Sequence, residues 1–559
     1  MALIAMIRTV AGSGWTSRGF FVALALASAG ARAGPVGFSG SASTSAQYDG
    51  IAGAAQNRPT WIGTIALAPV LGVSGFEVGC PLTFSTLDRS TRQSFNRLSP
   101  TIRKDWLDLG LVDVRPTYSA FTLNGLPMRG AGISLTPGIF RMAATTGETR
   151  RAVKGSDTTD ASFRQTLSAA RVGVGRPERG FSVNLNLVRA QDSYDPAFAW
   201  RRPSPADSTD TIDIITPKEN TVASLDFGLR LFGSRLSFNG EVAGSQFSRD
   251  LRAEKLQIDN PLVPDFLQPR LSSQHDFSLN ASAALELVAG GRLSAAFRRV
   301  GPAFQSLGSP CLLADVQSLS GAVVQPILGK GLVFDLGYSQ SRDNLSGLKM
   351  YTTTTRSIAS GIVLSAPRLP RFSINYRPSF RLNDATAEAV RLDDRTHLLV
   401  AGLSRGFRLG RTYHSPSLDF SLNSYDDRNP TTRGSYASHS LALSCGHSLA
   451  APVSFSWRVG NSRTSSAQDP ATTGWNYSGS VGTGLLSPRL NPTFTVGYQT
   501  GAVAGSSTTR LDLALAAPIR VNDAIGLNLG VRRSDIRNPQ APERDYTENL
   551  AQLGLAVRW

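Results

Sequence analysis

The residues that could do chemistry are few: five His and three Cys in a chain of 559. His439-x5-Cys445-x-His447 offers three ligand atoms, and a period of two places all three on one face of a strand. Lying two to eight residues apart on an extended chain, they are too spread to close a tetrahedral zinc site alone. Ser438, Ser440 and Ser444 lie near His439, the pairing that a serine–histidine hydrolase working at a lipid surface would need. No acid or carboxamide is placed by the sequence to orient that histidine. No glycine-rich loop follows a strand and opens a helix, so a phosphate cradle is absent as well. The expectation is therefore a protein without enzymatic activity, metal or cofactor.

Composition points elsewhere. Charged residues make up only 18% of the chain, yet 57 basic residues face 41 acidic ones, and the basic residues are nearly all Arg. The first 33 residues contain Arg8, Arg18 and Arg32 and no acid, with an apolar run Phe20 to Ala27 ending in Ala31-Arg32-Ala33. That is the pattern of a secretory signal peptide, and cleavage is expected after Ala33. Removing three Arg leaves 57 − 3 = 54 basic residues, a net charge of +13. The arginines are scattered along a secreted chain, so nucleic acid is not an expected partner. Cys80, Cys311 and Cys445 are an odd set for an oxidising compartment. One bridged pair and three small strand residues both remain open.

The elements that must position these residues are strands. No later apolar run is long enough for a transmembrane helix, whereas alternation with a period of two recurs along the whole chain. Phe181-Ser182-Val183-Asn184-Leu185-Asn186-Leu187 is one example; Leu225/Phe227/Leu229/Leu231, a turn at Gly233-Ser234 and Leu236/Phe238 form a hairpin. The chain closes on Leu553-Gly554-Leu555-Ala556-Val557-Arg558-Trp559, alternating to a terminal aromatic. Leu555, Val557 and Trp559 are read as the C-terminal signal for the barrel-assembly machinery. The expected fold is all-β: a single large transmembrane antiparallel β-barrel over residues 34–559, of about 22–26 strands with inserted loops, in the outer membrane of a Gram-negative bacterium.

A barrel of that size leaves an aqueous channel unless its own chain folds in. The stretch 92–129 breaks the alternation most clearly and is a candidate inward-folded loop or plug. Phe95, Asn96, Arg97, Tyr118 and Phe121 are its candidate anchors, with an ordinary aromatic girdle as the competing reading for the aromatics. The Pro- and Asp-rich stretches 192–218 and 249–275 are expected to be surface loops. Alternation begins by Phe38, which leaves no room for a separate plug domain of the kind found in TonB-dependent receptors. Arg230, Arg235, Arg377, Arg458 and Arg532 fall on the polar register and are candidate lumen residues, favouring anions. Other arginines are expected at the rim against lipopolysaccharide phosphates and outer-membrane lipid.

The segment from Ser94 to Val153 resembles a family of large, mostly uncharacterised outer-membrane barrels. The resemblance rests on Phe95-Asn96-Arg97-x-Ser99-Pro100, Tyr118-Ser119-x-Phe121-Thr122-Leu123-x-Gly125 and Gly130-Ala131-Gly132-Ile133-x-Leu135-x-Pro137-Gly138-x-Phe140. In that family the middle piece usually reads Ser-Pro-Tyr-Thr-Leu followed by Gly-His. Here Ala120 and Phe121 replace Pro-Tyr, and Leu126 stands where the His would be. The resemblance implies location and architecture, not an activity. Within the block, Gly130 and Gly132 suit close backbone approach, and Pro137-Gly138 signals a short hairpin turn. The sequence thus points to a passive or gated pore with an anion bias. The alternative is a non-conducting scaffold or a component of a surface-export assembly, closed by its own loops.

Overall fold

Alternating segments joined by short turns leave each strand only its sequence neighbours to pair with, and the chain uses them in order. The computed structural model describes residues 36–559 apart from 57–58, 88–96, 155–160, 177, 179, 196–200, 204–210, 214, 257–267, 328, 330, 430, 432–433, 450–451, 467, 485–488 and 504–505; for 201–203 and 211–213 it gives the backbone alone. The leader expected over 1–33 lies outside the described residues. The main sheet has 29 strand segments, all its pairings antiparallel. Three wall strands are interrupted, at Phe76–Gly79 with Leu82–Ser85, Arg97–Leu98 with Thr101–Lys104, and Asp393–Ser404 with Phe407–Leu409. Joining these pairs gives 29 − 3 = 26 wall strands. The first strand, Val36–Ala52, pairs with the last, Tyr546–Arg558, from Ser41↔Arg558 to Ala52↔Thr547, so the sheet closes.

The two faces of the wall differ as the alternation requires. Along Phe181–Ser193, Phe181, Val183, Leu185 and Leu187 are exposed, whereas Ser182, Asn184 and Asn186 are buried. The same exposed apolar face continues through Leu225, Phe227 and Leu229, and on to Phe494, Val496 and Tyr498. A belt of exposed apolar side chains running round a closed sheet is stable only in lipid, and closure leaves no strand edge unpaired there. The molecule is therefore a transmembrane barrel with its polar face turned inward. Spacing strands at about 4.8 Å with a tilt near 40° would make a circular section roughly 50 Å across.

One rim carries the short turns, the start of the first strand and the end of the last; the other carries the long connections. In barrels of this type the short turns face the periplasm. Pro137-Gly138 makes one of these turns, with Gly138 at φ 62°, a conformation that favours glycine. Gly130 pairs with Gly147 across the neighbouring strand, and a Cβ at Gly130 would collide with Thr146 O and Gly147 Cα. Close backbone approach at Gly130 is thus built into the wall.

The closing seam is reinforced on its lipid face. Leu555 and Val557 are buried against Ala42, with Leu67, Ile525 and Leu527 alongside. The Trp559 indole stacks on Phe38 with ring centroids 5.9 Å apart. It also covers Gly40, where a Cβ would stand 2.7 Å from the ring. Backbone bonds from Gly40 N to Trp559 O (3.0 Å) and from Trp559 N to Gly40 O (3.1 Å) finish the ladder. Trp559→Ala should lower stability by about 2 kcal/mol through lost stacking and packing. Urea unfolding of the refolded barrel in vesicles reads this directly; an unchanged midpoint would show that the seam does not depend on the indole.

Candidate functional site

Between the strands Leu107–Val114 and Met128–Leu135 the chain makes an excursion over residues 115–127. It folds as a small finger, closed by Tyr118 N to Leu123 O (2.7 Å) and Gly125 N to Pro116 O (3.0 Å). Its tip is a serine turn: Ser119 Oγ accepts from Thr122 N (3.2 Å) and bonds Thr122 Oγ1 (2.6 Å). Tyr118, Phe121 and Leu123 are all buried. They are buried against the polar face of the wall, so the finger lies inside the barrel.

Five adjacent wall strands hold it, Phe140–Arg150, Arg164–Arg176, Phe181–Ser193, Glu219–Leu231 and Leu236–Ser248. The Glu241 carboxylate, only 4% exposed, accepts from the backbone N–H of Ala120 (3.1 Å) and Phe121 (3.3 Å). Arg171 donates from Nη1 to Tyr118 O (2.8 Å) and pairs through Nη2 with Asp226 (3.1 Å). Asp226 is completed by Asn184 and Asn186, each donating at 2.7 Å. Tyr118 Oη shares a hydrogen bond with Thr145 Oγ1 (2.9 Å). Burial raises the Tyr118 phenol above its ordinary value, with the Thr145 bond and Arg171 opposing, so the phenol stays protonated. Between finger and wall lies a polar cavity of about 350 Å³.

A second inward loop, residues 301–315, packs on the finger from the other side. Phe304 meets Phe121 edge-on at 5.8 Å, and the Arg298 guanidinium lies over the Phe121 ring at 5.5 Å from its centroid. Ser306 Oγ donates to Thr122 O and Ser309 Oγ to Ala120 O, both at 3.0 Å. Asn220 on the wall accepts from Leu307 N (2.8 Å) and donates to Gln305 O (3.0 Å). At its far end Asp315 is paired with Lys349 Nζ (2.6 Å). Sequence reading did not single out this loop. Its available signals were Gly301-Pro302 directly after an apolar strand end and Ser309-Pro310, both breaks in alternation.

The other residues singled out in the sequence are distributed as follows. Phe95 and Asn96 lie outside the described residues, and Arg97 is exposed on a two-residue segment, paired with Thr83. Arg230, Arg377, Arg458 and Arg532 sit on the inward register; Arg235 lies in the hairpin turn after Leu231, off the strand register. Arg458 is shared with Asp419 (3.8 Å) and Arg532 with Asp512 (3.1 Å). Arg230 and Arg377 are exposed, and neither has an acidic oxygen within 4.0 Å among the described residues. His439, Cys445 and His447 share the outward face, whereas Ser438, Ser440 and Ser444 point inward and bond other hydroxyls. His447 instead meets His414 (Nδ1 to Nδ1, 2.8 Å) and accepts from Trp457 Nε1 (3.1 Å). All three cysteines are free.

Fold and lumen together define a large transmembrane β-barrel with two loops latched to its inner wall. No family model and no curated protein matches the chain. Among solved structures it is similar to a BenF-like porin from Pseudomonas fluorescens (9% identity, TM-score 0.32, 68% of this chain and 98% of that one). It is similar to Pseudomonas aeruginosa OpdK, solved with vanillate (12% identity, TM-score 0.32, 62% and 94%). It is also similar to a chain of an Escherichia coli P pilus tip assembly intermediate containing PapC (8% identity, TM-score 0.47, 92% of this chain and 60% of that one).

Two outcomes follow from the latch. Glu241→Ala leaves the Ala120 and Phe121 amides without acceptors, a loss of about 1–3 kcal/mol in finger docking. Hydrogen exchange at those amides should then rise about tenfold or more, with exchange in the wall strands unchanged. The second outcome concerns pH. Burial would raise the Asp315 carboxyl, but hydrogen bonds from Lys349 and Leu345 N outweigh it and hold the carboxyl below its ordinary value. A carboxyl depressed on folding stabilises the folded loop above its unfolded value, about 3.9, and that support is lost as pH falls through the lowered value. A fluorophore on Cys311, exposed on this loop, should keep its anisotropy between neutral pH and about 5 and lose it on further acidification. Lys349→Met should lower the anisotropy already at neutral pH.

Proposed function

We propose that the protein is an outer-membrane channel of a Gram-negative cell, narrowed on one side by the finger and the 301–315 loop, with the Glu241 latch setting how far it opens. The single observation carrying this reading is that a polar, water-compatible inner face coexists with loops held on it by a few breakable hydrogen bonds. Beside the loops the inner wall is smooth: Ser282, Ser294, Ser320, Ser339 and Ser357 line a groove of about 350 Å³. Such a surface offers passage without a strong binding step.

The anion preference is modest in this reading. Arg458 and Arg532 are offset by Asp419 and Asp512, whereas Arg377 and Arg230 on the same inner face have no acidic oxygen within 4.0 Å among the described residues. Entry to the membrane is assigned to the C-terminal strand, whose Leu555, Val557 and Trp559 would be read by the barrel-assembly machinery, after signal-peptide removal at Ala33.

A scaffold or export-assembly role draws on one observation of its own, the 26-strand wall, wider than passage of small solutes demands. Planar-bilayer recording of the refolded protein separates the two. A channel should give steady conductance with roughly twofold anion over cation selectivity. Arg377→Ala should bring that ratio towards unity, and Glu241→Ala should raise mean conductance. A folded, heat-modifiable barrel that stays silent would overturn the channel reading in favour of the scaffold.

A further inference from the structure

Both rims of the barrel carry exposed arginines, and at the short turns several of them stand beside exposed apolar side chains. At the long-connection rim four arginines are held by acids, whereas Arg391 and Arg544 there are exposed with no acidic oxygen within 4.0 Å among the described residues. Arg150 meets Asp192 at 3.0 Å, Arg164 meets Glu148 at 2.8 Å, Arg428 meets Asp426 at 3.0 Å and Arg533 meets Asp535 at 3.0 Å. At the short-turn rim Arg103 meets Asp108 at 3.4 Å, whereas Arg235, Arg368, Arg408 and Arg411 are exposed, and none of these four has an acidic oxygen within 4.0 Å among the described residues. Those same turns expose apolar side chains where turns ordinarily carry small polar ones: Phe232 is 77% exposed, Leu369 56% and Leu409 70%. Val288, in the turn before Arg292, is 84% exposed.

We infer that the short-turn rim is a binding surface for anionic phospholipid in the leaflet it faces. Arginine alone would suit any phosphate, since its planar fork matches two phosphate oxygens. An exposed Phe or Leu alone would suit any apolar surface. The two within three residues of each other, repeated at Phe232/Arg235, Leu369/Arg368 and Leu409/Arg408, match a molecule carrying a phosphodiester directly above acyl chain. Free phosphate leaves the apolar side chains in water, and a zwitterionic lipid offsets the arginines with its own cation. Headgroups with net negative charge satisfy both parts. The four acid-paired arginines at the opposite rim, Arg150, Arg164, Arg428 and Arg533, are already neutralised and serve as the control set. This inference needs the membrane barrel but not conduction, so a silent barrel would leave it standing.

The test is native mass spectrometry of the full-length barrel released from nanodiscs of equimolar phosphatidylglycerol and phosphatidylcholine. Retained lipid should be enriched in phosphatidylglycerol about fivefold or more. The variant Arg235→Gln/Arg368→Gln/Arg408→Gln/Arg411→Gln should fall to near-equal retention. The matched change at the other rim, Arg150→Gln/Arg164→Gln/Arg428→Gln/Arg533→Gln, should leave the enrichment in place. Equal retention by the unaltered protein, or equal loss in both variants, would overturn the inference. So would abolition of the enrichment by excess inorganic phosphate, which would mark a site for free anion. Should the turn-rim variant not fold, Phe232→Trp offers a separate reading. Its fluorescence should be quenched more by brominated phosphatidylglycerol than by brominated phosphatidylcholine, and equal quenching would overturn the inference.

Discussion

Closure is the constraint on which everything else in this molecule depends. In hydrocarbon an unpaired N–H or C=O costs several kcal/mol, so a sheet that presents an apolar face to lipid has to end where it began. The ladder between Val36–Ala52 and Tyr546–Arg558 meets that demand with backbone groups, and Trp559, Phe38, Val557 and Leu555 protect it from the outside. Once the seam is fixed, the period of two decides which side chains meet lipid and which meet water, all round the wall.

Closure at 26 strands creates a second problem, because the enclosed space is too wide to fill with wall side chains alone. The chain answers it locally. The finger and the 301–315 loop cover one sector of the inner face, and they are held by polar contacts because that face is polar. Glu241 binding two tip amides, Arg171 bridging Tyr118 O to Asp226, and Asn220 fixing Gln305 and Leu307 act alongside two small apolar clusters. Apolar contact is made in two small clusters, Phe121 and Phe304 with Val222, Ala243 and Val300, and Tyr118, Leu123 and Met128 with Leu167 and Val188. Such an arrangement has the character of a latch: each bond is modest, and few of them hold the tip.

The same separation of environments extends along the barrel axis. One rim carries long connections in which several arginines pair with acids, and the other carries short turns where arginines and apolar side chains stand side by side. What is left unpaired at the short turns is therefore offered to whatever surrounds them.

Much of this was legible in the sequence, for a physical reason. Strand pairing between sequence neighbours is local, so alternation in Phe181 to Leu187 or Leu553 to Trp559, together with turns such as Gly233-Ser234 and Pro137-Gly138, determined the all-β barrel, its size class and the inward register of Arg230, Arg377, Arg458 and Arg532. The break in alternation also marked the stretch containing Tyr118 and Phe121. Contacts between residues far apart in the chain were not legible. Only the tertiary structure joins Glu241 to the amides of Ala120 and Phe121, Ser306 to Thr122, and Arg458 to Asp419. It likewise puts Arg235 in a turn, and it separates Ser438, Ser440 and Ser444 from His439 by the thickness of the wall. Periodicity determines a side chain's face; its partner on that face depends on how loops fold across a closed lumen, and no local pattern encodes that.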